Sequence, residues 1–526
     1  MNWAFWRREP TEYLRAVHYF GRTQPMSFWD AAAFSEAPGH LAQIRRDGFN
    51  TVILVVPWRG FQRTLVPPTY DELNLSRLRR ILIMVQAAGL KFILRVSYPW
   101  NSDPDSVGDY DERILGLFTR PEVRKAWLAY LREIRRIGEA FAGFQFAFFS
   151  WEDLPSLREL MGHRTDAERL ALAEATGFRR YLAKRFALTE ISRLFGRPFA
   201  SLSEVYIPLP DCEAYREFND FVNASFGDLL AHGRSAWPRL ALQIRVDHDQ
   251  VRLGGENVWI ENDMRLTDWG MRVTYFFPFM YTLCEGETLP AAEVLKNLER
   301  MLRRVTDDGR NTRHFLDQFV FHDESPQFPS WSKIRESEME EYLTGAARLM
   351  RRYSRGFALW NYFDYRANHF YNSSFVRGLQ GWTVRGNVSV KPEEPAYATL
   401  APGAAITQRM TPQMVGNATA LYQAMRFAAT VRDTGSPGRL RLATNGVTET
   451  EIDVAAGTTG SIEVDVPPEL HRGGVVDVTI ENVGPAPIAI TDLSLWGFVY
   501  RSRIYDEHGK PGPYLEAVRA MLRHSA

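Results

Sequence analysis

Lys91–Ser97 reads KFILRVS, Pro121–Phe141 reads PEVRKAWLAYLREIRRIGEAF, and Gly143–Ser150 reads GFQFAFFS. The first and third stretches are apolar runs of strand length. The second opens on a proline, which the first turn of a helix tolerates. It then places Val123, Trp127, Tyr130, Ile134 and Ile137 at spacings of three and four, the period of a helix with one buried face. Strand, helix and strand in that order form a crossover between parallel strands. Outward from this unit the same alternation repeats. The apolar runs are Val17–Gly21, Thr51–Pro57, Lys91–Ser97, Gly143–Ser150, Ala241–Val246, Met271–Phe276, His314–Phe321 and Gly356–Asn361, eight in all. LSRLRRILIMVQAAG, which ends on Gly89, is one of the helices between them.

Eight such strands either close into a (β/α)8 TIM barrel or form an open doubly wound sheet. An open sheet would carry a glycine-rich phosphate turn after its first strand. YFGRTQPMSFWD follows the first run and holds none. The expectation is an α/β chain: a (β/α)8 barrel over 1–372, with an insert at about 153–239 after the fourth strand. That insert contains GFRRYLAKRF, SLSEVYIPLP and CEAYREFNDFVNASFGDLLAHG. Structure added after a barrel strand lies at the C-terminal face, where active sites are built.

Beyond Arg366 the pattern changes to short alternating runs such as LYQAMRFAATVRD, GRLRLATNG, SIEVDV and VVDVTIENV. Turn residues bound them, so 373–505 reads as an all-β, jelly-roll-like sandwich of carbohydrate-binding kind. Its opening NSSFVRGLQGWTV places Trp382 in the core, and PGPYLEAVRAMLRH within 506–526 reads as a helix.

Lys plus Arg and Asp plus Glu number 63 each, for a formal net charge of zero. Such balance disfavours nucleic acid or an anionic membrane as partner, both of which reward a basic excess. A neutral carbohydrate suits it better; oligomeric state is not legible. Only Cys212 and Cys284 occur, so neither a disulfide framework nor a thiolate zinc site is expected. Asp247, His248 and Asp249 form the nearest thing to a ligand cluster, yet no further His stands at ligand spacing, and neither metal nor cofactor is expected. The N-terminus lacks the apolar core of a signal peptide, which reads as cytoplasmic, although an exported chain trimmed of its signal would read the same.

Two strand ends carry paired acids. FQFAFFSWEDLPS delivers Glu152 and Asp153 after the fourth run, and FLDQFVFHDESPQF delivers Asp323 and Glu324 after the seventh. An acid after a strand is commonly a helix N-cap, which Asp153 before LPSLREL could be. Acids on two strands on opposite sides of a closed ring can also face each other across a bond. Glycoside cleavage needs that arrangement: one carboxylic acid protonates the leaving oxygen and a carboxylate attacks the sugar carbon. Trp58, Trp100, Trp331 and Trp360 fall in or just after strand-to-helix loops, where an aromatic face can meet a pyranose. His322 could orient the nucleophile, and His18 and Arg22 flank the first strand end.

On these residues the chain resembles clan A of the glycoside hydrolases, the retaining (β/α)-barrel enzymes. The resemblance implies Glu152 as acid/base and Glu324 as nucleophile. It implies Tyr275 as the tyrosine beside the nucleophile, Trp360 as the floor of the subsite, and Arg59 or Arg95 as the arginine that keeps the nucleophile ionised. FRRYLAKRFALTEISRLFGRPFASLSEVYIPLPD is distantly similar to the insert of family-42 β-galactosidases and their relatives. One position departs from the clan: Trp151 stands where an asparagine contacts the sugar 2-hydroxyl. Either another group reads that hydroxyl, or the sugar is unusual, or the relationship is distant. The expected activity is retaining hydrolysis of a β-linked neutral oligo- or polysaccharide. The alternatives are a transglycosidase using the same residues and a catalytically silent carbohydrate-binding protein.

Overall fold

The computed structural model describes residues 12–99, 103, 109–150, 164–244, 249–253, 256–260, 272–276, 288–307, 313–323, 333–391, 396–410, 425–432, 435–466, 476–497 and 499–526. Eight strands close a barrel: β1 (Leu14–His18), β2 (Thr51–Pro57), β3 (Lys91–Tyr98), β4 (Phe144–Ser150), β5 (Leu240–Ile244), β6 (Arg272–Phe276), β7 (His314–Phe319) and β8 (Gly356–Leu359). Each pairs in parallel with its sequence neighbours, and β1 closes the ring on β8 with Leu14 opposite Gly356. β1 begins three residues before the run expected from sequence. Arg15 interrupts the apolar pattern, but it turns outward and its Nε donates to the Gly48 carbonyl at 3.0 Å.

Six helices follow strands in the expected manner: α1 (Ala37–Arg46), α2 (Glu72–Ala87), α3 (Pro121–Gly138), α4 (Ala214–Ala236), α5 (Ala291–Val305) and α6 (Met339–Tyr353). α2 starts where the Asp71 side chain accepts from the Asn74 amide, and it ends at Gly89, whose φ of +68° suits a residue without Cβ. α3 buries the apolar stripe read from its sequence against the strands. After β5 the described chain forms an antiparallel ribbon, Asp249–Leu253 with Glu256–Ile260.

The helix that serves β8 has a different origin. α7 (Leu515–His524) follows the sandwich in sequence yet packs beside α6 and reaches α1, filling the place after β8. Leu522 lies against Gly48, and Arg519 pairs with Asp47 at 2.6 Å. Asp47 also accepts from Tyr362 at 2.6 Å and Tyr505 at 2.9 Å. Val518, Met521 and Leu522 join the core shared by the barrel and its helices. The chain leaves and re-enters the barrel side by side, Tyr365 opposite Tyr500 and Arg366 opposite Val499 in an antiparallel pair.

The sandwich has two five-stranded sheets. Its strands are β9 (Thr383–Arg385), β10 (Val388–Lys391), β11 (Tyr397–Leu400), β12 (Ala405–Met410), β13 (Met425–Arg432), β14 (Gly438–Thr444), β15 (Val447–Val454), β16 (Gly460–Val466), β17 (Val476–Asn482) and β18 (Ile488–Trp496). The sheet orders are β9–β12–β17–β14–β15 and β10–β11–β18–β13–β16. Trp382 lies in the core between them with Phe370 and Phe375. The outer face of the first sheet carries ion pairs: Arg385–Glu481, Arg441–Glu451, Arg439–Asp453 and Arg409–Asp477. Exposed pairs of this kind add little stability. Arg377, at the entrance to the sandwich, reaches back to Asp30, Asp71 and Asn74 of the barrel and fastens the two parts. Among the described residues no helix is long and apolar enough to cross a membrane.

Candidate active site

Alternation along the strands sorts the barrel interior into layers. Leu14, Ala16, Ile53, Ile93, Phe146, Phe148, Ala241, Val273, Phe315 and Ala358 fill the lower interior as one apolar plug, with Phe146 edge-on to Phe315 at 5.5 Å. Two residues further along six of these strands the interior turns polar or aromatic: His18, Arg95, Ser150, Gln243, Asp317 and Trp360. This change occurs at the C-terminal end of the strands, the end from which barrel active sites are built.

Four of these groups are joined. His18 Nε2 lies 2.6 Å from Asp317 Oδ1, Gln243 Nε2 donates to Asp317 Oδ2, and the Ser150 hydroxyl donates to Gln243 Oε1. All four are at most 1% exposed. A buried carboxylate is costly unless its lone pairs are met, and here both oxygens are met. Asp317 keeps the inward phase of Phe315, and a bulge begins beside it. The register of β7 shifts against β6 and β8 after Leu316, and Gln318 takes φ +48°.

Trp360 stands above this group, partly exposed, with the His18 ring edge-on at 4.8 Å and Phe20 at 5.2 Å. Tyr365 lies 6.5 Å from it. Burial pushes the Tyr365 hydroxyl well above its ordinary range, and Tyr500, Tyr98 and the Asp323 carboxylate add to the shift while a hydrogen bond with Trp360 opposes it. At the end of β3, Ser97 has φ +65° and is held from α3: Trp127 Nε1 donates to its Oγ at 2.7 Å, and its amide donates to the Tyr130 hydroxyl at 3.2 Å. Tyr98 follows, with the Arg95 guanidinium 5.4 Å from its ring centre.

Of the residues singled out from sequence, His18, Arg95 and Trp360 share this inward layer. Glu152, Trp151, Trp100, Asp247, Glu324 and Trp331 lie outside the described residues, as does the side chain of Tyr275 on β6. Trp58 is fully buried, its indole N–H on Gln62 at 2.8 Å and the Arg113 guanidinium over its ring, so it offers no face to a sugar here. Arg59 is half-buried and donates to the Arg63 carbonyl. His322 packs edge-on against Tyr514 at 5.0 Å, beside α7. Arg22 pairs with Glu36 at 2.7 Å. Sequence reading passed over Ser150, Gln243 and Asp317. The signal was present in FLDQF, where an acid stands in phase with the inward Phe315.

No protein-family model and no curated protein matches this chain. Among solved structures it resembles the exo-β-1,4-mannosidase Op5Man5 from Opitutaceae bacterium strain TAV5, at 16% identity and a TM-score of 0.41 over 67% of this chain. The chain spans 53% of that protein's length. It also resembles a GH5_18 protein from Streptomyces cattleya solved with GlcNAc, at 12% identity and a TM-score of 0.41, covering 67% of this chain and 72% of that one. The catalytic domain of a β-amylase from Paenibacillus polymyxa is similar at 14% identity and a TM-score of 0.44, over 66% of this chain and 92% of that one.

Proposed function

We propose that this chain is a retaining glycoside hydrolase acting on a β-linked neutral glycoside, with Glu152 as acid/base and Glu324 as nucleophile. The observation that carries the reading is the path from Ser150 through Gln243 to Asp317. One glutamine side chain bridges β4 to β7, so the ends of these strands approach closely across the barrel mouth. Glu152 follows Ser150 by two residues, and Asp323 and Glu324 follow β7 closely. Carboxyls delivered from these two ends can flank one glycosidic bond, and retention asks for a separation of about 5–5.5 Å. Trp360 offers an aromatic face at the same end of the barrel, and the helices 166–175, 178–183 and 188–195 of the insert follow β4.

In this reading Glu152 protonates the leaving oxygen while Glu324 attacks the anomeric carbon. Water, activated by the same Glu152, then hydrolyses the glycosyl-enzyme. The test is nitrophenol release from a panel of aryl β-glycosides, with product configuration followed by NMR. Glu324→Gln is expected to abolish turnover in a folded protein. Glu152→Ala is expected to spare activated aryl glycosides relative to poor leaving groups and to be rescued by azide. Labelling of Asp323 rather than Glu324 by a mechanism-based fluorosugar would refute the assignment.

A further inference from the structure

We propose that Asp317 is a positioning residue: through His18 it sets the Trp360 ring, and through Gln243 and Ser150 it holds the end of β4 against the end of β7. The part of this that concerns catalysis rests on the glycosidase reading; the positioning itself does not.

Three observations carry it. The inward residues below Asp317 are all apolar, so a carboxylate here serves no packing need that a leucine or methionine could not meet. Buried charge pairs are weak contributors to stability, because desolvation offsets the attraction. Second, the hydrogen bonds converge. His18, Gln243 and, behind it, Ser150 all donate in the direction of Asp317, which fixes the proton on His18 Nε2 and the orientation of the Gln243 amide. A neutral amide in place of Asp317 would turn an N–H toward His18 or Gln243, and so either set two donors against each other or force the His18 proton onto Nδ1. Third, the group ends where the reading needs precision: the His18 and Trp360 rings meet in an edge-type contact at 4.8 Å, and Ser150 is the last residue of β4. Asp317 itself is fully buried with both oxygens engaged, so its action passes through these neighbours.

The experiment uses the full chain labelled with 5-fluorotryptophan, the Trp360 resonance being assigned with Trp360→Phe. Asp317→Asn is expected to shift or broaden that resonance while the other indole signals stay in place. On any aryl glycoside that the wild type cleaves, it is expected to lower kcat by about 10–100-fold with KM within about threefold, since small misplacements of positioned groups act on the chemical step. Asp317→Glu keeps the carboxylate and displaces it by one methylene; it too is expected to move the Trp360 signal, and it decides the matter if Asp317→Asn fails to fold. An unmoved Trp360 signal in the folded variant overturns the proposal, as does a shifted signal with unchanged kcat on a cleaved substrate. A wild type that cleaves no glycoside refutes the functional reading alone, because the fluorine comparison still decides the positioning.

Discussion

Asp364, where the chain leaves the barrel, shows how much one buried group can set. It accepts from the Ser502 amide at 2.7 Å, the Ser502 hydroxyl at 3.2 Å and the Arg503 amide at 3.2 Å. Burial nevertheless outweighs those donors and raises its pKa from 3.8 to about 6. Between these values the folded state holds a proton that the unfolded chain has released. The contribution of Asp364 is therefore greatest below pH 4 and declines as pH rises through 6, by an amount on the order of 3 kcal/mol. Asp364→Asn removes that slope. Melting temperatures at pH 4.5 and 7.5 are expected to differ less in the variant than in the wild type, and equal differences would count against it. Not all of this scale was legible in the sequence. The place of Trp360 at the barrel mouth was, because it follows an apolar run. Asp317 was not, because a single acid inside an apolar strand reads as a flaw in the strand until the inward phase of every neighbour is known. Trp58 misled for the opposite reason: its place after a strand is as expected, but Gln62 and Arg113 take up its polar edge and its face.

At the scale of elements, the eight strands were readable because plug and outer face alternate within each run. Their ends were less so. Arg15 concealed the start of β1, and the bulge at Gln318 shortened β7 relative to its apolar run. α3 does more than cover β3, since Trp127 and Tyr130 hold the left-handed Ser97 and so direct Tyr98 and Arg95 at the mouth. The seam that closes the ring is a tight contact. A Cβ on Gly356 would stand 2.4 Å from the Leu14 carbonyl oxygen and 2.6 Å from Leu14 Cβ. The obstacle is backbone, which cannot rotate away. Gly356→Ala is expected to cost about 1–3 kcal/mol or more, the range for overpacked interiors. Urea unfolding that leaves the midpoint unchanged would show that the seam can open to admit a methyl group.

For the whole molecule, the sandwich is an insertion within the last strand–helix unit of the barrel. The sequence shows α7 as a helix, but nothing local tells it to join β8, more than a hundred residues earlier; the shared apolar core and the Arg519–Asp47 pair supply that information. Leu515, Val518, Met521 and Leu522 are each buried at 5% exposure or less, which stabilises by roughly 1.5–3 kcal/mol apiece. A chain stopped after residue 372 is expected to be insoluble or to lack a cooperative melt. A chain in which a short turn joins Arg366 to Val499, excising the sandwich but keeping α7, is expected to be the more stable of the two. Equal melting behaviour would show that the sandwich, and not the helix, braces the barrel. The same insertion orders events during synthesis. Domains emerging from a ribosome usually fold from the N-terminus onward, at about 5–20 residues per second. Here the first domain begun cannot be the first completed: eight strands must wait with one flank open while the whole sandwich is made. For that interval of roughly 10–30 seconds at those rates, the nascent chain presents the apolar flank of α1 and α6 to its surroundings, which makes it a natural client for a chaperone until its closing helix is translated.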